Sequence, residues 1–513
     1  MLLKPYLFLK RNDLAFFLGF ITLILWNNIL KLISLIDSKS LILDQNSNMF
    51  DDDEDDFSDD SLYEDLEQFE AHLKGKTIGF LDSDRLEAVI DHYIINGQYS
   101  KAKSAAEHGV YHFQYNPVFQ LRKAQAMSGM GLLNDALELM NQLEKSNVGN
   151  PEVYLTKAAL FSQLRDSKNA IRYFRLAINL CDPEDRDEIY LDIAMEYQNL
   201  SQYKEAIQVL KEAIKVNNQN EGALYEIAYC YDQLGDYDQA INCYTSFIDE
   251  NPYSFTAWYN LGNAYSKSEN YERAIWAYDY SVLINPDFGP THFNMGNAYL
   301  TMEKYHKSIE HFHHCMRLDG DDALALCYIG EAHEQLNELD LAHHFYKRSL
   351  ELAPLLPEAW LGLGIVEDLK GNTREGIIMI HKALEFDPEN AGIHHVLAGA
   401  YEKIDEIEIA IEHFEESLMM DADDEECLSD YIELLTEISP LRAFNRLNEF
   451  TADNSNNAIA KVLEVNLRWM LGQKDNAIQL FASCLEENQL KAKSIFEINP
   501  GLLDEPDFIN LAE

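Results

Sequence analysis

Proline and glycine are scarce in this chain, 13 and 23 of 513 residues, while Ala, Leu, Glu and Tyr recur, and that balance suits helices. Basic residues are few as well: 40 Lys and Arg stand against 88 Asp and Glu, a formal net charge of −48. A surface of that sign repels phosphate backbones, which excludes general nucleic-acid binding and leaves neutral or basic partners electrostatically easier. The same acidity also serves simple solubility. The seven cysteines, Cys181, Cys230, Cys243, Cys315, Cys327, Cys427 and Cys484, are odd in number and form no C-x-x-C pair. They fall in mostly apolar helical surroundings. This points to core-filling thiols in a reducing, cytoplasmic compartment rather than to a disulfide framework or a zinc site.

Long apolar runs are nearly absent too. Leu14–Trp26 is the exception and extends to Ile36 if Asn27, Asn28, Lys31 and Ser34 are tolerated, a marginal membrane span. Three readings stand for residues 1–48. They could be a signal anchor, with Lys4, Lys10 and Arg11 held in the cytoplasm, or a cleaved signal lacking an A-x-A-like site. The third is an extension preceding a true start at Met49. Residues 49–82 follow as an acidic arm, Asp51–Asp60, and an amphipathic stretch with Leu62, Leu66, Phe69 and Leu73 on one face. That stretch is expected to cap the first repeat, or alternatively to fold back as an autoinhibitor. Gly75-Lys76-Thr77 mimics the end of a phosphate-binding loop, but Glu70 stands where its first glycine must be and no strand precedes it, so no nucleotide cofactor is implied.

At 513 residues the chain exceeds one ordinary core, so several domains or a repeat array is expected. Residues 83–424 are such an array. Frames of 34 residues begin at Ser83, Pro117 and Pro151; after a slip of two residues, Asp185 and Arg186, they resume at Asp187, Glu221, Phe255, Gly289, Ala323, Pro357 and Ala391. The twentieth slot is Ala102, Ala136, Ala170, Ala206, Ala240, Ala274, Ser308, Ala342, Gly376 and Ala410. The eighth is small in every frame but the first, where it is Ile90. Small residues at these slots let two helices of a unit cross closely. Large residues fill the eleventh and twenty-fourth slots, as Tyr265 and Tyr278 do, and Pro252, Pro286, Pro354 and Pro388 end second helices. Residues 425–488 look like degenerate repeats and 489–513 like a C-terminal cap.

Trp258, Leu261, Gly262, Tyr265, Ala274, Tyr278 and Pro286 stand at spacings that resemble the tetratricopeptide repeat family. The resemblance implies an all-α fold, a right-handed α-solenoid of stacked helix–turn–helix units, in which first helices line a concave groove for peptide or protein segments. Asn260 with Asn263, and Asn294 with Asn297, are then candidate groove contacts, since an amide both donates to and accepts from a peptide backbone. Tyr225, Tyr229, Tyr259 and Phe293 are expected beside them, with Asp232, Glu331, Glu334, Asp368 and Glu402 beyond. Relatives that grip acidic chaperone tails use a Lys and Asn clamp; here Tyr259, Phe293 and Cys327 occupy the lysine slots, which disfavours that ligand. The family also includes sugar transferases that carry such repeats, but no transferase domain follows them here.

His306, His311, His313, His314, His343 and His344 crowd one region and are expected on a solvated outer face. No catalytic residue, cofactor or metal ligand is predicted. The function expected is a non-enzymatic scaffold for an extended partner segment; the alternative is a membrane-anchored assembly or secretion accessory protein using residues 14–36.

Overall fold

Gly364 and Gly376, the small residues of the eighth and twentieth slots of one unit, face one another. In the computed structural model, which describes residues 59–76, 81–146, 149–453 and 457–512, the alanines of the twentieth slot are at most 2% exposed. A Cβ built on Gly364 would lie 2.9 Å from the carbonyl oxygen of Gly376, and one on Gly376 2.6 Å from that of Gly364. Gly262, Gly296 and Gly330 instead receive the rings of Tyr278, Phe312 and Tyr346, the twenty-fourth slot of each unit. The crossing is thus a small residue under a large one, repeated.

Ten helix pairs follow the predicted frames. They are Ser83–Ile95 with Tyr99–His112, Val118–Gly129 with Leu133–Ser146, Pro151–Gln163 with Ser167–Ile178, Arg186–Asn199 with Tyr203–Val216, and Glu221–Leu234 with Tyr237–Glu250. Then come Phe255–Lys267 with Tyr271–Ile284, Gly289–Thr301 with Tyr305–Asp319, Ala323–Gln335 with Leu339–Leu352, Pro357–Leu369 with Thr373–Phe386, and Ala391–Lys403 with Ile407–Met420. Two further pairs, Glu425–Ile438 with Pro440–Asp453 and Ala458–Met470 with Lys474–Glu487, precede short terminal helices. The slip at Asp185 and Arg186 is absorbed by a 3-10 turn, Pro183–Asp185. No strand is present among the described residues. The chain forms two compact units, one ending at Ile284 and the other beginning at Asn285.

The turn inside each pair has a rule of its own. Its fifteenth-slot residue has a positive φ in all ten frames: Gly97, Gly131, Gly235 and Gly371, but also Arg165, Ser201, Glu269, Glu303, Asn337 and Asp405. That left-handed residue closes the first helix, as Asn270 N–H donating to Tyr265 O at 2.9 Å illustrates. First helices open on side-chain caps, among them Asp82, Asn150, Asn220, Ser254, Asp322, Asn390 and Asp424. Trp258 and Trp360 each donate an indole N–H to the carbonyl of the proline that ended the preceding pair, Pro252 and Pro354, both at 2.9 Å.

The amphipathic stretch before the array forms the helix Asp59–Leu73 and packs on the first pair. Phe69 is fully buried against Tyr93, Asp65 pairs with Arg85, and Glu70 pairs with Lys101 at 2.6 Å. The apolar segment 14–36, the Met49 start and most of the acidic arm lie outside the described residues. No described helix is long and apolar enough to cross a membrane.

Candidate functional site

In the unit ending at Ile284, the expected contacts lie on two neighbouring first helices, Glu221–Leu234 and Phe255–Lys267. Tyr225 is 37% exposed, and Tyr229 and Tyr259 are half-buried. The Tyr229 ring meets Tyr203 edge-on at 6.1 Å, and Tyr259 lies 6.2 Å from Tyr278. The two asparagines part company. Asn263 is half-buried and its Oδ1 accepts from the Tyr278 hydroxyl at 2.8 Å. Asn260 is only 3% exposed, and its amide nitrogen has no hydrogen-bond partner. A buried donor without an acceptor costs about 1–3 kcal/mol, so Asn260 is poorly satisfied by its own fold.

In the unit beginning at Asn285, Asn294 and Asn297 are half-buried on the helix Gly289–Thr301. Asn297 occupies the slot of Asn263, but the ring facing that slot is Phe312, not Tyr278, and no hydroxyl is there to claim it. Phe293 packs inward, its ring 5.5 Å from Phe312 and 6.0 Å from Tyr328.

Carboxylates on the same first helices divide into paired and unpaired. Asp232 bonds Lys267 at 2.7 Å, and Asp368 bonds Lys403. Glu331 and Glu334, one turn apart on Ala323–Gln335, pair with no Lys or Arg among the described residues. Burial pushes Glu331 up to about 7 and Glu334 to about 8, although the Tyr346 hydroxyl donates to Glu334 at 2.8 Å. Glu402 is also raised, by burial and then by Glu437, Asp430 and Glu433. In the other unit, burial followed by Glu188 and Glu196 lifts Asp192 to about 7, and burial raises Glu226, which accepts from Gln198 at 2.7 Å. Asp192 and Glu226 escaped the sequence reading, although both hold the sixth slot that Asn260 and Asn294 hold in later frames.

The histidines correct their expectation. His306 and His344 are exposed, but His311 and His314 stack on His292, which is 4% exposed. His292 Nδ1 lies 3.1 Å from His311 Nδ1, and burial followed by the other two rings lowers His292 to about 4. The arrangement recurs three frames later, where His394 and His413 approach to 3.0 Å. Tyr299 and Tyr401 stack on His311 and His413 in turn, so these rings fill the helix crossing.

An open cleft of about 500 Å³ lies farther along, between Tyr431, Leu435 and Arg446. Its polar groups satisfy one another: Arg446 binds Glu415 and Glu449, and Tyr431 donates to Glu415, each at 2.7 Å.

Repeated helix pairs with these crossings, caps and turns define a repeat protein built by stacking. Residues 231–290 and 288–354 match family models described as tetratricopeptide repeat, and residues 163–247 match the model of anaphase-promoting complex, cyclosome, subunit 3. The chain carries tetratricopeptide repeats. No curated protein sequence matches it. Among solved structures it is similar to the APC/C hetero-tetramer Cut9-Hcn1, at 15% identity over 80% of this chain and 93% of that one, with a TM-score of 0.41. It is also similar to MamA, at 25% identity over 32% and 90% of the two chains, TM-score 0.29. A third is YrrB, described as a TPR protein with an unusual peptide-binding site, at 22% identity over 37% and 97%, TM-score 0.29.

Proposed function

We propose that this chain is a non-enzymatic scaffold whose first helices hold an extended, neutral or basic segment of a partner protein. Tetratricopeptide repeats generally serve as protein–protein interaction scaffolds, and that coarser role follows from the family. The observation that carries the finer reading is the pair Glu331 and Glu334, raised to about 7 and about 8 by burial and paired with no Lys or Arg among the described residues. A partner ammonium or guanidinium placed there would be attracted to both carboxylates and would draw their protons off. Asn260, unsatisfied in one unit, and Asn294 and Asn297, half-buried in the other, each offer backbone contacts of about 0.5–1.5 kcal/mol, so within a unit several contacts must act together. A net charge of −48 disfavours nucleic acid. Seven scattered cysteines with no C-x-x-C pair favour a reducing, cytoplasmic setting. The membrane-anchored alternative rests wholly on residues 14–36, outside the described residues.

Panning the full chain against a displayed library of unstructured peptides tests this reading. Enriched peptides should carry net positive charge, bind more weakly as salt rises, and release protons on binding near pH 7. Enrichment of acidic peptides would contradict it.

A further inference from the structure

His395, Asp424 and Cys427 come from two helices and the cap between them, and each is buried: they are 8%, 4% and 0% exposed. One ligand atom from each lies within 4.8 Å of the other two. His395 departs from the repeat: it holds the fifth slot, where Tyr259, Phe293, Cys327 and Leu361 stand in other frames. Cys427 holds a third slot, which varies from frame to frame. The fold brings the two together beside a carboxylate.

We propose that His395 Nδ1, Asp424 Oδ2 and Cys427 Sγ bind a divalent transition-metal ion, zinc by the character of the ligand set. Three arguments support it. First, the donor types are those zinc takes, one nitrogen, one oxygen and one sulfur, and three protein ligands leave a position for water. Second, the imidazole is oriented as in metal sites. His395 Nε2 lies 3.0 Å from Asp430 Oδ2, and with the proton on that nitrogen a metal-binding imidazole turns the lone pair of Nδ1 toward the other two ligands. Third, the carboxylate is fixed. Asp424 Oδ1 accepts from the backbone N–H of Glu426 and of Cys427, at 3.1 and 2.9 Å. Asp424 Oδ2 lies 3.9 Å from His395 Nδ1, too far for a hydrogen bond and suited to two ligands of one ion.

Closing on zinc needs inward movement of about 1 Å, because bonds of about 2.0–2.3 Å set ligand atoms closer than they now stand. Binding is written as the thiol losing its proton to solvent while the thiolate, imidazole and carboxylate each donate a pair to the ion. No bond within the protein breaks and no electron is transferred. Asp421 and Asp430, beside the ligand Asp424, add negative charge that draws a cation. A bound ion would tie the last regular repeat to the first degenerate helix, Glu425–Ile438.

The test titrates cobalt(II), then zinc, into the reduced, chelator-treated full chain. The expected result is one equivalent of cobalt giving a thiolate charge-transfer band, displaced by zinc, with affinity rising as pH rises. The band should vanish in Cys427→Ser and in His395→Gln. Asp430→Asn, which keeps all three ligands, should weaken binding about 10–100-fold. Circular dichroism establishes that each variant is folded, and zinc should raise the melting midpoint of the wild type but not of Cys427→Ser. Absence of the band, or a band that survives Cys427→Ser, overturns the proposal.

Discussion

Gly364 and Gly376 touch backbone to backbone: a methyl group on either one would lie within 3 Å of the other's carbonyl oxygen. Neither carbonyl can swing away without breaking its helix. Gly376→Ala is therefore expected to destabilise the chain by about 1–3 kcal/mol through overpacking. Gly399→Ala is the contrast. That glycine is also inside a helix, yet nothing lies within 4 Å of a Cβ built there. Its replacement should stabilise by about 0.5–1 kcal/mol. Urea denaturation of both variants checks the pair.

The left-handed turn residue gives a second expectation. Arg165 and Glu303, both at φ 58, hold a conformation that favours glycine. Arg165→Gly and Glu303→Gly should each raise stability, by about 0.5–1 kcal/mol after the entropy of the freer unfolded chain is subtracted. A fall in the melting midpoint would show that the side chains, not the turn, matter there.

Stability should depend on pH in two opposed ways. Asp192, Glu331 and Glu334 have folded values raised to about 7, 7 and 8, so their contribution is full below the ordinary carboxylate range and is lost as pH rises through those values. His292 and His413 are lowered to about 4 by burial first and neighbouring histidines next, so their contribution is full above pH 6.5 and is lost as pH falls through about 4. The melting midpoint should therefore be higher at about pH 6 than at pH 8. Glu331→Gln with Glu334→Gln should shrink that difference. An unchanged difference would mean these carboxylates are solvated.

The frame, the crossings and the helix ends were legible because each rests on residue size or on proline at a fixed spacing. The turn was half legible. Gly97, Gly131, Gly235 and Gly371 mark the fifteenth slot, but Arg165 or Glu303 in the same slot reads as ordinary surface. The candidate contacts were less legible still, because their state depends on a second helix. Asn263 and Asn297 look equivalent along the chain, and one hydroxyl on Tyr278, absent from Phe312, separates them. His311 read as solvated because His292, nineteen positions earlier, was not seen to cover it.

That distinction yields a stability test of the asparagines. Asn263→Ala removes a bond to Tyr278 and should cost about 0.5–1.5 kcal/mol. Asn260→Ala removes a buried donor that has no partner, so stability should hold or rise. A loss at Asn260 as large as that at Asn263 would assign it to the core alone.

The scaffold reading is tested most directly by calorimetric titration of one panned basic peptide into the wild type and into the Asn294→Ala, Asn297→Ala double variant, both on the helix Gly289–Thr301. The account predicts an unchanged circular dichroism spectrum and affinity reduced about 5- to 100-fold, the loss of two net hydrogen bonds. Equal affinity for the two proteins would contradict it.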